Sequence, residues 1–349
     1  MSSVPPSPAP SASSASPAPA TPRPSGDHSA ARSGAPALTP SPYGLARGVF
    51  GVSAAVILLA VAFALLLPAQ FGAVVGAINT TIVDSIGWYY VLAVASFVLF
   101  ALTVAFTRLG DIRPGADDDT PEYGLFSWFA MLFAAGMGIG LVFWGAAEPL
   151  SFFTGEGSIP PNIAGMADEE RARRAMGQTF LHWGLHAWAI YVVVGLAMAY
   201  AIHRRGRPVS IRWALEPLLG RRTDGWLGDL VDILAIVGTV AGVATSLGFG
   251  VNQIFAGLAH LGLFPETAEW LKVVMVLVIT ALATLSAVSG LDKGIKMLSN
   301  LNMGLAALLL IAVLILGPTL FLLRDFVSGI GYYLQNFISL SFQTGIRGR

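Results

Sequence analysis

Seven runs of roughly 20 or more largely apolar residues constrain this chain more than any other feature. They lie near 47–68, 86–106, 125–153, 178–202, 229–260, 270–289 and 299–323. A bilayer core is about 30 Å thick and a helix rises about 1.5 Å per residue, so each run is long enough to cross it. Lipid offers no partner for backbone amides and carbonyls, and a helix satisfies them within the segment. The expected fold class is an all-α polytopic membrane protein with seven transmembrane helices. The third and fifth runs exceed the required length, which predicts tilt, a break or an extension beyond the membrane. The residue inventory agrees: 55% hydrophobic and 11% charged, with 20 basic against 20 acidic side chains. That balance excludes an ordinary soluble domain and removes the electrostatic case for nucleic acid as a partner. The lipid bilayer is the partner it implies. The absence of cysteine excludes disulfides, thiolate nucleophiles and cysteine-bound metals.

Residues 1–42 are a different material. The stretch "MSSVPPSPAPSASSASPAPATPRPSG" has almost no bulky apolar side chain, so it cannot bury enough surface to offset its ordering entropy. A disordered Pro/Ala/Ser-rich tail is expected there. No apolar segment of signal-peptide type precedes residue 49, so the first span is expected to direct insertion. Placing the tail in the cytoplasm gathers Arg47, Arg108, Arg113, Arg204, Arg205, Arg207, Arg212, Arg221, Arg222, Lys293 and Lys296 on the same side. The positive-inside rule favours that orientation, with the N-terminus cytoplasmic and, after an odd number of spans, the C-terminal end of this chain outside. Arg171, Arg173 and Arg174 fall on the opposite side, next to Asp168, Glu169 and Glu170, which suggests a self-neutralised helix start.

Two motifs within the spans carry chemistry. In "AGMGIGLVFWGAAEPLSFF", residues 135–153, Gly136, Gly138 and Gly140 stand where a helix should be firmest, each about 1 kcal/mol worse than alanine. One reading is close helix packing through Gly136 and Gly140. The other is a discontinuous helix whose open carbonyls hold a cation and whose amides meet an anionic group. Alternating glycines point to different sides of a helix, which favours the break. In "HWGLHAWAIYVV", Trp183, Trp188 and Tyr191 fall at about 0°, 140° and 80° on a continuous helix and share one side. Aromatic faces turned to one cavity attract a quaternary ammonium group, whereas an aromatic belt would mark the membrane interface. His182 and His186, four residues apart, could ligate a metal, but helix–helix hydrogen bonding is the expected use.

Four blocks, "GMGIGLVFWGAAEPLSFF", "HWGLHAWAIY", "DILAIVGTVAGVATSLGFG" and "SGLDKGIKMLSNLNMG", occur in this order, and the chain from about 45 to 343 resembles the betaine/choline/carnitine transporter family. The resemblance implies a twelve-span fold in which two leading helices precede two five-helix inverted repeats, the core of the leucine-type sodium symporters. Residues 43–106 would be the leading pair and 107–323 the first repeat. Residues 324–349 would hold an amphipathic surface helix, "FVSGIGYYLQNFISLSF", and a truncated end. It implies a small quaternary ammonium solute caged by Trp183, Trp188 and Tyr191 and met by the backbone of Gly136, Met137, Gly138 and Gly140. It also implies no cofactor beyond a coupling sodium ion, with the carbonyls of Ala134 and Met137 at one site and Thr239 at a second.

Thr239, Val243 and Ser246 share one face of the fifth span, at about 0°, 40° and 340°, with Asp232 two turns earlier. Valine has no oxygen for sodium where some sodium-coupled relatives carry threonine, so the second site is expected to be weak or absent. Some proton-coupled choline members carry an acid at the position of Gly140. Glycine leaves the amides free for a carboxylate, which favours glycine betaine or a close zwitterion. Sodium-coupled symport of glycine betaine is the expected function, with proton-coupled choline or carnitine transport as the alternative. A seven-helix receptor is a rival that regular helix across 136–140 would favour. Enzymatic activity is not expected, because no catalytic pair stands within the spans. With the second repeat missing, the chain is expected to be inactive alone and to need that half, or another copy in a homo-oligomer, at the cell membrane.

Overall fold

The computed structural model describes residues 46–344 except 116, 118, 137, 156–162, 164, 266 and 267, and the backbone alone of Asp292. The tail expected at 1–42 lies outside the described residues.

Every regular element among the described residues is helical. In chain order they are α1 (Arg47–Leu66), α2 (Pro68–Phe106), α3 (Leu125–Gly136), α4 (Ile139–Thr154), α5 (Asp168–Trp183) and α6 (Leu185–Ala199). There follow α7 (Glu216–Leu219), α8 (Trp226–His260), α9 (Glu269–Val288), α10 (Lys296–Leu316), α11 (Thr319–Gln335) and α12 (Phe337–Ser341). Six described helices are long and apolar enough to cross a membrane, or seven when the bent pair α3 and α4 counts as one span. Their outer faces are bare hydrocarbon: Leu65 is 76% exposed and Leu316 86%. Buried positions go largely to small residues, Ala130, Ala175, Ala189 and Ala201 among them. That is the pattern of helices packing in lipid, where close approach and not apolar burial drives association.

Three boundaries differ from the sequence reading. The second span starts at Pro68 and not near 86, forming one helix of 39 residues. Leu67 alone separates it from α1, at φ −139° and ψ 60°. A residue before proline is pushed out of the α region, and proline fits the first turn of the next helix. The fourth span starts at Asp168 and is interrupted at Gly184, where α5 gives way to α6. The break in the third span is narrower than five residues: Gly136 ends α3, Ile139 and Gly140 open α4, and only Gly138 is described between them.

Helix α4 packs on α5 and α8, α3 on α10, α6 on α2, and α5 on α11. Asn300 of α10 donates to the Ser127 hydroxyl of α3 at 3.2 Å. The three arginines of α5 are all engaged. Arg173 and Arg174 pair with Glu169 and Glu170 within the helix, while Arg171 donates to the carbonyls of Phe153 and Met166, closing the far end of α4.

A second charged cluster gathers the segment between α6 and α8. Arg204 bonds Asp117 at 2.7 Å, Arg205 and Arg207 pair with Glu216, and Arg207 lies over the Trp213 ring. Arg212 joins Asp229 and Asp232, and the Ser210 hydroxyl donates to Asp232 at 2.6 Å. Asp232 therefore serves this cluster. The Arg207 guanidinium, by hydrogen bonding first, holds the Glu216 carboxyl below the usual carboxylate range.

Candidate functional site around the broken third span

The chain bends by 61° between α3 and α4. Gly138 caps α4 in an extended conformation, φ −85° and ψ −174°, and as a glycine it has no side chain to offer the amides of the first turn. A helix N-terminus with unpaired amides favours negative charge and is ready for an anionic group. Met137 lies outside the described residues, so its place in the cation and substrate sets is an expectation only.

The outer two glycines of the run have a reason that neither periodicity nor propensity contains. A Cβ built on Gly136 would come within 2.7 Å of the Trp188 ring, and one on Gly140 within 3.7 Å of the Trp183 ring. Gly138 has nothing within 4 Å. Gly136 and Gly140 thus clear room for the two indoles, and Gly138 turns the chain. Trp188 and Tyr191 form a ring pair at 5.8 Å and 43° on α6. Trp183, on α5, stands apart from them at the start of α4. The broken span is therefore flanked by Trp188 at one end of the run and Trp183 at the other. Because Gly184 interrupts the helix between the two tryptophans, the continuous-wheel angle between them does not apply.

Helix α8 reaches the break through Gly250, where a Cβ would lie 3.4 Å from Ile139, and through Phe249, stacked on Phe143 at 5.5 Å. Thr239 stands eleven residues from Gly250, about 16 Å of helix. The contact that α8 makes with the break is thus at Gly250 and not at Thr239. Thr239, Val243 and Ser246 are all exposed. A cavity of about 460 Å³ lies elsewhere, in the seam of α2, α5, α6 and α12, lined by Tyr90, Gln178, His182, His186 and Ser341 among others. No residue of α3 or α4 lines it.

Sequence reasoning missed Glu148. It sits in α4, 7% exposed, and its two oxygens accept from His182 Nδ1 and, at 2.5 Å, from Trp183 Nε1. The signal was a lone acid inside an apolar run, which is costly in a membrane and therefore seldom idle. His186 faces the other way, between the Tyr333 and Ser341 hydroxyls at 3.1 and 2.8 Å. Both histidines are thus engaged in hydrogen bonds between helices.

A model of the betaine/carnitine/choline family of transporters, BCCT, matches residues 48–348. The chain belongs to this family. An uncharacterized transporter of Mycobacterium tuberculosis is 53% identical over 270 residues, covering 76% of this chain and 45% of that protein. Glycine betaine transporter OpuD of Bacillus subtilis is 45% identical over 300 residues, covering 84% and 57%. An ectoine/hydroxyectoine transporter of Virgibacillus pantothenticus is 42% identical over 296 residues, covering 84% and 58%. This BCCT chain spans about half the length of the curated relatives it matches.

Proposed function

We propose that these residues form one wall of a secondary transporter for glycine betaine or a close zwitterion, coupled to sodium. The single observation that carries the reading is the seat of Trp188 against Gly136, with the glycine-capped N-terminus of α4 just beyond. A trimethylammonium group cannot donate hydrogen bonds and is attracted to aromatic faces, while a carboxylate seeks backbone amides. Trp183, Trp188 and Tyr191 take the cation, and the backbone of Gly136, Met137, Gly138 and Gly140 takes the carboxylate. The carbonyls of Ala134 and Met137 supply oxygens to one sodium ion, and Thr239 to a second. Relatives named as glycine betaine transporters support this choice over choline.

The reading places the N-terminus in the cytoplasm and the end of this chain outside. It also assigns residues 107–323 to the first of two inverted repeats. Alternating access moves one repeat against the other, so the stretch expressed alone is expected not to transport. The test is accumulation of labelled glycine betaine under high salt in cells lacking betaine carriers, with and without a sodium gradient. A carrier of the relatives' full length with these residues should give saturable uptake that collapses with the gradient, and the 349-residue stretch should give none. Choline uptake unaffected by excess betaine would overturn the substrate. Gradient-dependent uptake by the stretch alone would overturn the single-wall reading.

A further inference from the structure

We propose that Glu148 is a positioning and specificity-determining residue: it locks the Trp183 indole by its N–H and makes that ring a stronger partner for a cation. The inference rests on the reading that Trp183 belongs to the substrate cage.

Trp183 is fixed at both ends. The tip of its ring lies against the first turn of α4, 3.7 Å from where a Cβ on Gly140 would stand, and its Nε1–H donates to Glu148 Oε2 further along the same helix. A free indole on a helix can sweep through several rotamers, and an anchored one keeps a single plane. The carboxylate is itself held. Its other oxygen accepts from His182 Nδ1, and His182 Nε2 meets Gln178 Nε2 at 3.1 Å. The network assigns the Nδ1–H tautomer to His182, donating to Glu148 and accepting from Gln178. The chain of bonds runs Gln178, His182, Glu148, Trp183, and three of its members lie on α5 within two turns. The anchor thus crosses from α5 to α4 and back.

The bond has an electronic consequence as well. A carboxylate accepting an indole N–H is a charge-assisted acceptor. It draws the proton toward itself and leaves more electron density on the ring, deepening the negative face on which cation–π attraction depends. Glu148 should therefore favour a cationic headgroup over a neutral one of the same shape. A purely mechanical brace would favour neither.

Glycine betaine and 3,3-dimethylbutanoate provide that comparison, because they differ only by a central nitrogen or carbon in an isosteric head. A carrier of the relatives' full length with these residues, in lipid nanodiscs and labelled with 15N at the indole nitrogens, is compared with its E148Q, E148L and W183F variants, the last assigning the Trp183 resonance. In wild type the Trp183 N–H should exchange slowly with deuterium. E148Q, which keeps the shape, should speed that exchange and weaken betaine binding about threefold or more while moving dimethylbutanoate less. E148L should carry both effects further, and E148L in a W183F background should add nothing for betaine. Unchanged Trp183 exchange in E148Q and E148L would overturn the positioning role. An equal shift for both ligands would overturn the electronic role. If wild type binds neither ligand, the substrate reading and with it the electronic role fall, and the exchange data still decide whether Glu148 anchors Trp183.

Discussion

Among the described residues two spans are interrupted, and the interruptions have opposite characters. Between α3 and α4 the chain bends by 61°, and α4 opens on Gly138 between the Trp188 and Trp183 rings. At Gly184, with φ −93° and ψ −137°, the helix also stops, yet it continues as one apolar span from Asp168 to Arg204. The second interruption is filled from outside the span. The Tyr333 side chain of α11 lies beside it, with its hydroxyl raised to about 12 by burial and hydrogen-bonded by the Leu185 backbone, which opposes that rise. The same hydroxyl meets His186. A broken helix in lipid must satisfy its freed groups somewhere. One that borrows a partner from a neighbouring helix is finished as structure; one that opens on a glycine between two indoles fits the substrate site proposed above.

The sharpest way to break this contrast is at Gly136. Gly136→Leu would drive a side chain through the Trp188 ring, and saturable betaine uptake should disappear while the protein still reaches the membrane. Gly138→Ala has open space for its Cβ and should retain most uptake. Equal losses in the two would mean that the run serves helix packing alone. Trp188→Leu comes next, with betaine binding weakened by about 1 to 2 kcal/mol of lost cation–π attraction, roughly five- to thirtyfold, read from uptake kinetics. An unchanged half-saturation would return Trp188 to an interface belt.

Tyr333→Phe tests the filled break. It should lower thermal stability in detergent by about 1 to 2 kcal/mol, the cost of unpairing buried polar groups, and leave betaine affinity nearly untouched. A large loss of affinity instead would make the two breaks alike.

The smallest expected effect comes from the arginine cluster between α6 and α8. Arg207 and Arg205 hold the Glu216 carboxyl below its ordinary range, and Arg204 does the same for Asp117. A depressed carboxyl pKa contributes stability above its unfolded value, about 4 to 4.5, and that contribution is lost as pH falls through the folded value. Melting temperature should be flat from pH 8 to 5 and fall slightly below about pH 4, with Glu216→Gln removing part of the fall. These pairs are exposed enough that added salt should shrink the effect.

What the sequence disclosed depended on the range of the interaction concerned. Span lengths are a property of consecutive residues, so all seven runs correspond to helices, and the glycine run marked the bend. Gly184 was hidden because a single glycine inside a long apolar run looks tolerable, and only α11, some 150 residues away, completes it. Glu148 stood in plain view beside Pro149, but its partners His182 and Trp183 lie 34 and 35 residues along the chain. Pairing at that distance is set by how α4 meets α5, which no periodicity encodes. The crowding at Gly136 was illegible for the same reason: the residue that forbids a side chain there is Trp188, on another helix. Thr239 was placed by the family resemblance with a face-sharing argument within one helix beside it, and neither carries information about which helix faces it.

The 39 residues of α2 make a rod about 58 Å long, nearly twice the hydrocarbon thickness of about 30 Å. Leaning alone cannot absorb such a mismatch, since it would take a tilt of about 60° where spanning helices reach at most about 40°. The apolar run recognised at 86–106 accounts for about 32 Å of the rod, a close match to the lipid core. The remaining part, 68–85, carries Gln70, Asn79 and Asp84 beside the exposed Val74, Val75, Ile78 and Ile82. With the lipid core matched to 86–106, this part would fall in the headgroup layer and the water beyond. On that match the surface of the membrane would cross α2 near Asp84, in the middle of an unbroken helix, and a label walked along the helix from 70 to 95 would pass from water to lipid without meeting a change in backbone.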